Sequence, residues 1–171
     1  MEILERFSPR LIRPENEQLL SIGEIQSRLE CVIPSPMVEI LNSYDGSIVF
    51  EETPSFPAKH SLFAGKSGQI GLELLYGRGD GFYGIAAANE RYRDWLPLRS
   101  LPIGEVAGGN VVGVHLATEE VFLWLHDDPR PRGSVDDLFP SLRKFLQSLS
   151  VCNDEDLGDL GVDWERTVWK L

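Results

Sequence analysis

The sequence is poor in cysteine and in long apolar runs. Its two cysteines, Cys31 and Cys152, are far apart and lack metal-site spacing, so we expect both thiols to be reduced and structural. No apolar stretch approaches the roughly 20 residues of a membrane-spanning helix. The N-terminus carries charges every few positions and lacks the apolar core of a signal peptide. We therefore expect a soluble, cytoplasmic protein that does not contact a membrane.

Basic residues are also scarce. The chain has 16 Lys and Arg against 27 Asp and Glu, which gives a net charge of −11 and a pI near 4.7. Nucleic acid is therefore not expected as a direct ligand, because phosphate binding requires clustered basic side chains. The acidity favours a basic protein partner, such as a nuclease, although it also serves simple solubility.

The remaining composition is that of an ordinary globular protein. Hydrophobic residues make up 42% of the 171 positions and charged residues 25%, which suits one domain with extensions. Composition shifts divide the chain into an N-terminal extension (1–20), a domain (21–150) and an acidic, Trp-containing C-terminal extension (151–171). The oligomeric state is not readable from the sequence.

Two helices are predicted early in the domain. Ser21 and Glu24 have the spacing of a capping box, and the apolar residues that follow predict a helix to about Cys31. A second helix is predicted with Ser35 as N-cap, ended by Gly46 in a left-handed conformation.

Short β-type runs follow these helices. The predicted strands are 48–50, 60–64 and 70–76, and a helix is predicted over 86–95. Pro97 and Pro102 restrict the next strand to a sheet edge or a strand start. A last helix, with Asp137 as N-cap, is predicted from the apolar stripe that continues to Leu149.

The clearest pattern is a β-hairpin whose strands are 111–116 and 121–126, joined by the loop 117–120. We predict that Leu116 faces Val121, which gives the hairpin one wholly apolar face. On the opposite face this register places His115 beside Phe122, Gly113 beside Trp124 and Val111 beside His126.

The hairpin region also resembles a known family. The resemblance lies in the Leu-Pro-Ile-Gly run from Leu101, the turn at 108–110 and the ending Trp-Leu-His-Asp-Asp from Trp124. It extends to 34–46 and 89–98, and in all it covers roughly residues 22–149. These segments resemble the SUKH superfamily, which includes the Smi/Knr cell-wall-assembly regulators. In place of the family's frequent Asn-Gly-Gly this chain has Asp45 and Gly46.

The resemblance implies a single α+β domain with a central, mostly antiparallel sheet flanked by helices. It also implies a binding role rather than catalysis, because many bacterial relatives are immunity proteins that occlude a cognate toxin, often a nuclease. A regulatory scaffold that binds several proteins is the alternative implied by fungal members. An enzyme or small-ligand binder that uses a pocket beside Trp124 is a third class.

Two motifs are weighed and set aside. Residues 79–84 match the dinucleotide-binding pattern G-x-G-x-x-G, but an antiparallel hairpin follows instead of repeating βα units, so we interpret them as a turn-rich loop. The sequence His126-Asp127-Asp128 could bind a metal together with His115, but the predicted register separates the two imidazoles too widely for one ion. No nucleophile motif occurs. We predict no enzyme activity, no cofactor and no metal.

The candidate partner-binding surface is the aromatic face of the hairpin. It comprises Trp124, Phe122 and His115. Its predicted acidic rim comprises Glu105, Glu119, Glu120, Asp127 and Asp128. The alternative is that the first helix or the C-terminal tail covers this face. The tail holds Trp164 and Trp169, which either fold back on the domain or contact a partner.

Overall fold

The computed structural model describes residues 2–58, 68–127 and 134–151 of the chain. The helices there are α1 (Glu2–Glu5), α2 (Ile22–Leu29), α3 (Ser35–Ser43), α4 (Ile85–Tyr92) and α5 (Leu142–Ser148). The strands are β1 (Pro9–Ile12), β2 (Ser47–Phe50), β3 (Pro54–Pro57), β4 (Gln69–Leu75), β5 (Ser100–Val106), β6 (Asn110–His115), β7 (Val121–Leu125), β8 (Ser134–Phe139) and β9 (Ser150–Val151).

All these strands join one sheet. Seven of them lie in the order β1-β2-β4-β5-β6-β7-β8. Off this path, β3 pairs with β4, and β9 pairs with β3. Every strand pair in the described residues is antiparallel. The predicted single α+β domain with a mostly antiparallel sheet is confirmed.

Successive side chains of the central strands point to opposite faces of the sheet, and each face carries a buried cluster. Val112, Val114 and Leu123 point to the main core, which also holds residues of α3 and α5 such as Met37 and Phe145. The alternate residues of the same strands form a smaller second cluster on the opposite face. Its members are Leu96, Val111, Phe122 and Trp124, with Tyr92 packed against them.

The N-terminal residues, predicted as an extension, pack into the domain. Strand β1 pairs with β2 and forms one edge of the sheet, and Leu4 and Phe7 are fully buried in the main core. Residues 152–171 lie outside the described part of the chain, so the predicted boundary at residue 151 stays a prediction.

The first helix has the predicted start. The Ser21 hydroxyl accepts the Glu24 N–H, and the Glu24 carboxylate accepts the Ser21 N–H, which completes the capping box of α2. The predicted left-handed Gly46 after α3 is wrong, because the helix ends at Ser43, the next residue Tyr44 is extended, and Gly46 has no positive φ. Gly46 is instead a point of close approach, since a Cβ there would lie 2.9 Å from the Ile12 carbonyl oxygen.

Two further element predictions are wrong. Residues 134–139 form the edge strand β8 rather than the start of the last helix, because they pair with β7 along its length. Helix α5 begins after Pro140, with the Ser141 hydroxyl accepting the Lys144 N–H. The N-cap is therefore Ser141 and not Asp137.

Strand β5 is central, although its proline predicted an edge. Pro102 is accommodated because the ladder with β4 ends at Gly104 and the ladder with β6 is irregular between Pro102 and Gly104. Strand β3, in a segment interpreted as a Pro-rich link, was not predicted. The strand predicted over 60–64 lies outside the described residues.

The hairpin β6–β7 forms with a register different from the predicted one. Val114 faces Val121 and Val112 faces Leu123, a shift of two residues that leaves each side chain on its predicted face. Gly113 therefore lies opposite Phe122 rather than Trp124.

The loop explains this shift. Glu119 adopts a left-handed φ of 61° and donates its N–H to the His115 carbonyl at 2.7 Å, so the loop is 116–119. Leu116 instead donates its N–H to the Arg99 carbonyl, next to strand β5. Because a glutamate rarely adopts positive φ, the sequence did not indicate this closure.

Candidate functional site

The aromatic residues of the candidate site are buried. Phe122 is fully buried, and Trp124 is 5% exposed with its ring centroid 5.9 Å from that of Tyr92 in α4. The sequence left open whether another element covers this face. In the structure, helix α4 and Leu96, which follows it, cover this face. The sequence analysis considered the first helix and the C-terminal tail instead.

Gly113 leaves room for one of these rings. A Cβ at this position would lie 2.3 Å from Cζ of Phe122, whose ring is fully buried. The glycine therefore permits the close approach of the Phe122 ring to the backbone of β6.

Beside this aromatic cluster, Glu105 joins strand β5 to strand β4 and helix α4. Its Oε1 accepts hydrogen bonds from the hydroxyls of Tyr76 and of Tyr92, the latter at 3.2 Å. Arg91 completes the group with Nη2 at 3.4 Å from the same oxygen. Glu105 is therefore not a free carboxylate of an acidic rim, because two side chains of α4 and that of Tyr76, the residue after β4, converge on it.

Arg91 also anchors the loop before α4. Its guanidinium lies 3.9 Å from the Phe82 ring centroid, and Nη1 donates to the Phe82 carbonyl at 3.0 Å. The structure thus ties the 79–84 loop to the Glu105 group through one arginine.

Burial sets the protonation of this group. It raises the pKa of Tyr76 and of Tyr92, and the nearby Glu105 charge raises both further. Glu73 of β4 has a raised pKa because of burial and then the Glu105 charge. Both tyrosine hydroxyls therefore stay protonated at neutral pH and act as hydrogen-bond donors, which suits a structural network.

The glycine-rich loop 79–84 has an internal carboxylate. Glu17, which is 8% exposed, accepts the Gly81 N–H at 3.0 Å. A Cβ at Gly79 would lie 2.1 Å from the Glu17 carboxyl carbon, so these glycines admit a side chain of the same chain. The arrangement agrees with a turn-rich loop.

The two predicted imidazoles lie apart on the sheet. His115 ends β6, with Nε2 3.6 Å from Oδ1 of Asp137. Its ring packs against that of Phe122, with 4.7 Å between centroids and a tilt of 41° between the ring planes. His126 follows β7, and its Nε2 lies 2.9 Å from Oδ1 of Asp127. No cluster of three metal-ligand side chains occurs within the described residues.

The remaining acidic residues lie along β7 and β8. Glu119 and Glu120 are exposed at the hairpin tip, and His115 at the end of β6 donates its N–H to the Glu120 carbonyl. Asp127 is exposed at the other end of β7, whereas Asp128 lies outside the described residues.

Strand β8 adds Asp136 and Asp137, which sequence reasoning missed as site residues because it placed Asp137 at the N-cap of the last helix. We name the carboxylates that flank the two ends of β7, together with those of β8, the acidic edge. It comprises Glu119, Glu120, Asp127, Asp136 and Asp137.

Sequence comparison agrees with this architecture. The family model of the SMI1 / KNR4 family (SUKH-1) matches residues 19–148, which include α2 to α5 and strands β2 to β8. The chain belongs to the SMI1/KNR4 (SUKH-1) family. The predicted membership in the SUKH superfamily is confirmed. No curated protein and no solved structure matched the chain.

Within this SUKH-1 chain, none of the described helices is long and apolar enough to cross a membrane. Strand β1 and helix α1 precede the matched region, yet they pack on the same sheet and core. The SUKH-1 fold thus places the acidic edge at the opposite end of the sheet from β1.

Proposed function

We propose that this SUKH-1 protein is a non-catalytic immunity protein that binds a basic toxin domain and occludes its active site. The toxin class that fits best is a nuclease, because an enzyme that binds phosphates carries a basic surface. The protein would act in the cytoplasm, where such a toxin meets its substrate.

The acidic edge is the observation that carries this proposal. Glu120 and Asp137 flank His115, and β8 has no strand partner on its outer side among the described residues. An unpaired strand edge offers backbone hydrogen bonds to a partner, and the carboxylates orient a basic surface as it approaches. We propose this edge in place of the aromatic face, since Trp124 is buried.

The test is calorimetric titration with basic toxin domains, beginning with any that is encoded beside this gene, at 50 mM and 300 mM salt. We expect a Kd near or below about 1 nM at low salt and weaker binding at high salt. A complex that forms with several unrelated proteins in a pull-down would favour the regulatory scaffold instead. Failure to bind any basic toxin domain would contradict the proposal.

A charge reversal locates the interface. Glu120→Lys with Asp137→Lys should slow association by roughly tenfold while the melting temperature stays near that of the parent. The matched control is Glu15→Lys with Glu52→Lys, which reverses two exposed carboxylates outside the acidic edge. Equal slowing in both variants would show that the acidic edge is not part of the interface and that net charge alone slows association.

A further inference from the structure

A groove of about 760 Å³ opens between the end of helix α2 and the segment that joins α4 to β5. Its lining includes two apolar side chains that remain in water, Val32 at 80% and Leu98 at 87% exposure. Leu96, a member of the second cluster, forms part of the floor. Exposed apolar residues gathered in a concave surface are typical of a docking site.

The charge of this groove runs against that of the chain. Arg93 and Arg99 line it beside one carboxylate, that of Glu30, whereas the whole chain has a net charge of −11. Within the described residues, neither of these guanidiniums forms an ion pair. The groove therefore suits an occupant that combines apolar side chains with carboxylates.

The chain itself contains such a segment. Residues 152–171 hold six acidic and two basic residues, a net charge of −4. They also hold apolar residues, among them Leu157, Leu160, Val162, Trp164, Val168 and Trp169. Reach is not limiting, because 20 extended residues span up to about 66 Å while a domain of this size has a radius of gyration of about 16 Å.

We propose that the C-terminal segment 152–171 docks in this groove of its own chain. Its carboxylates pair with Arg93 and Arg99, and its apolar side chains cover Val32 and Leu98. This inference is independent of the proposed immunity function, because it concerns a surface on the α4 side of the molecule rather than the acidic edge.

Cys31 gives a direct readout of groove occupancy, because its thiol lines the groove and is half-buried. In the full chain with Cys152→Ser, Cys31 is the only remaining thiol. Its rate of reaction with a small thiol reagent therefore reports whether the groove is covered.

Replacing Trp164→Ser with Trp169→Ser should raise this rate about fivefold. A tethered segment with an effective concentration of ~1 mM exceeds a weak peptide Kd of ~0.2 mM by that factor. Arg93→Glu with Arg99→Glu should also raise the rate. Loss of nearby positive charge by itself lowers the thiolate fraction and slows the reaction, so an increase reports exposure.

The control is Arg13→Glu with Lys144→Glu, two exposed basic residues that do not line the groove. It should leave the Cys31 rate unchanged. Circular dichroism melts check that every variant is folded. An unchanged rate in the tryptophan variant would overturn the proposal, and a rate that falls with rising protein concentration would assign the groove to the tail of a second copy instead.

Discussion

The two faces of the central strands are held together by different interactions. Toward the main core, Val112, Val114 and Leu123 belong to a large cluster of buried apolar side chains. Toward helix α4, Trp124 packs against Tyr92, whose hydroxyl donates to Glu105. The Glu105 carboxylate also binds Tyr76 and Arg91. The strands are shared, so the difference arises from what each face packs against.

Apolar packing tolerates substitution in proportion to the volume removed, whereas a hydrogen-bonded group fails when one partner is lost. The α4 face therefore depends on specific residue identities to a greater extent than the main core. This difference leads to distinct expectations for substitutions on the two faces.

The largest effect is expected in the main core. Phe145→Ala removes a fully buried ring that stacks edge-on with Phe56 and Phe139, at 5.1 and 5.5 Å between centroids. The cavity should lower the free energy of unfolding by about 3–5 kcal/mol, measured by urea denaturation. A loss below that of the α4-face variants would reverse the ranking of the two faces.

On the α4 face, Glu105→Ala should lower the free energy of unfolding by about 2–3 kcal/mol, because two tyrosine hydroxyls and Arg91 lose their acceptor. The same denaturation experiment with Glu105→Gln is the control. The amide keeps an oxygen acceptor for the hydroxyls, so a clearly smaller loss is expected. Equal losses for both variants would show that the negative charge, and not the hydrogen bonds, is what matters.

Close packing on the α4 face is tested at Gly113. Gly113→Ala should destabilise by about 1–3 kcal/mol, since the new methyl would overlap the buried Phe122 ring. Gly23→Ala in helix α2 is the matched control, because nothing lies within 4 Å of its Cβ position. That change should be neutral or stabilising by up to about 1 kcal/mol. Similar effects at both glycines would mean that the Phe122 ring can move.

Local signals predicted local structure well. The capping box at Ser21 and Glu24 and the two faces of the β6–β7 hairpin follow from residue spacing within one element. The hairpin register failed because Glu119 closes the loop in a left-handed conformation. The assignment of β8 failed because only pairing with β7 distinguishes that segment from a helix start.

The site was less predictable than the fold. The sequence indicated Trp124 and Glu105, but their surroundings are set by Tyr92 and Arg91, which lie more than ten positions away along the chain. No spacing rule connects a helix residue with the strand it covers. Whether an aromatic is an anchor or a core residue therefore depends on long-range packing that one sequence does not encode in a local pattern.

The smallest expected effect is a pH-dependent one at Glu73. Burial, and then the Glu105 charge, raises the pKa of Glu73 in the folded protein above 4.5. The folded state then binds this proton more tightly than the unfolded state does, so the Glu73 contribution to stability falls as the pH rises from 4.5 through the folded pKa.

Glu73→Gln removes that ionisation. The variant should be more stable than the parent at pH 7, and the advantage should disappear at pH 4, where Glu73 is protonated in the folded protein. Urea denaturation at both pH values measures the difference, with the exposed Glu90→Gln as the control for net charge. A pH-independent difference would mean that Glu73 acts through packing, and the α4 face would then resemble the main core in this respect.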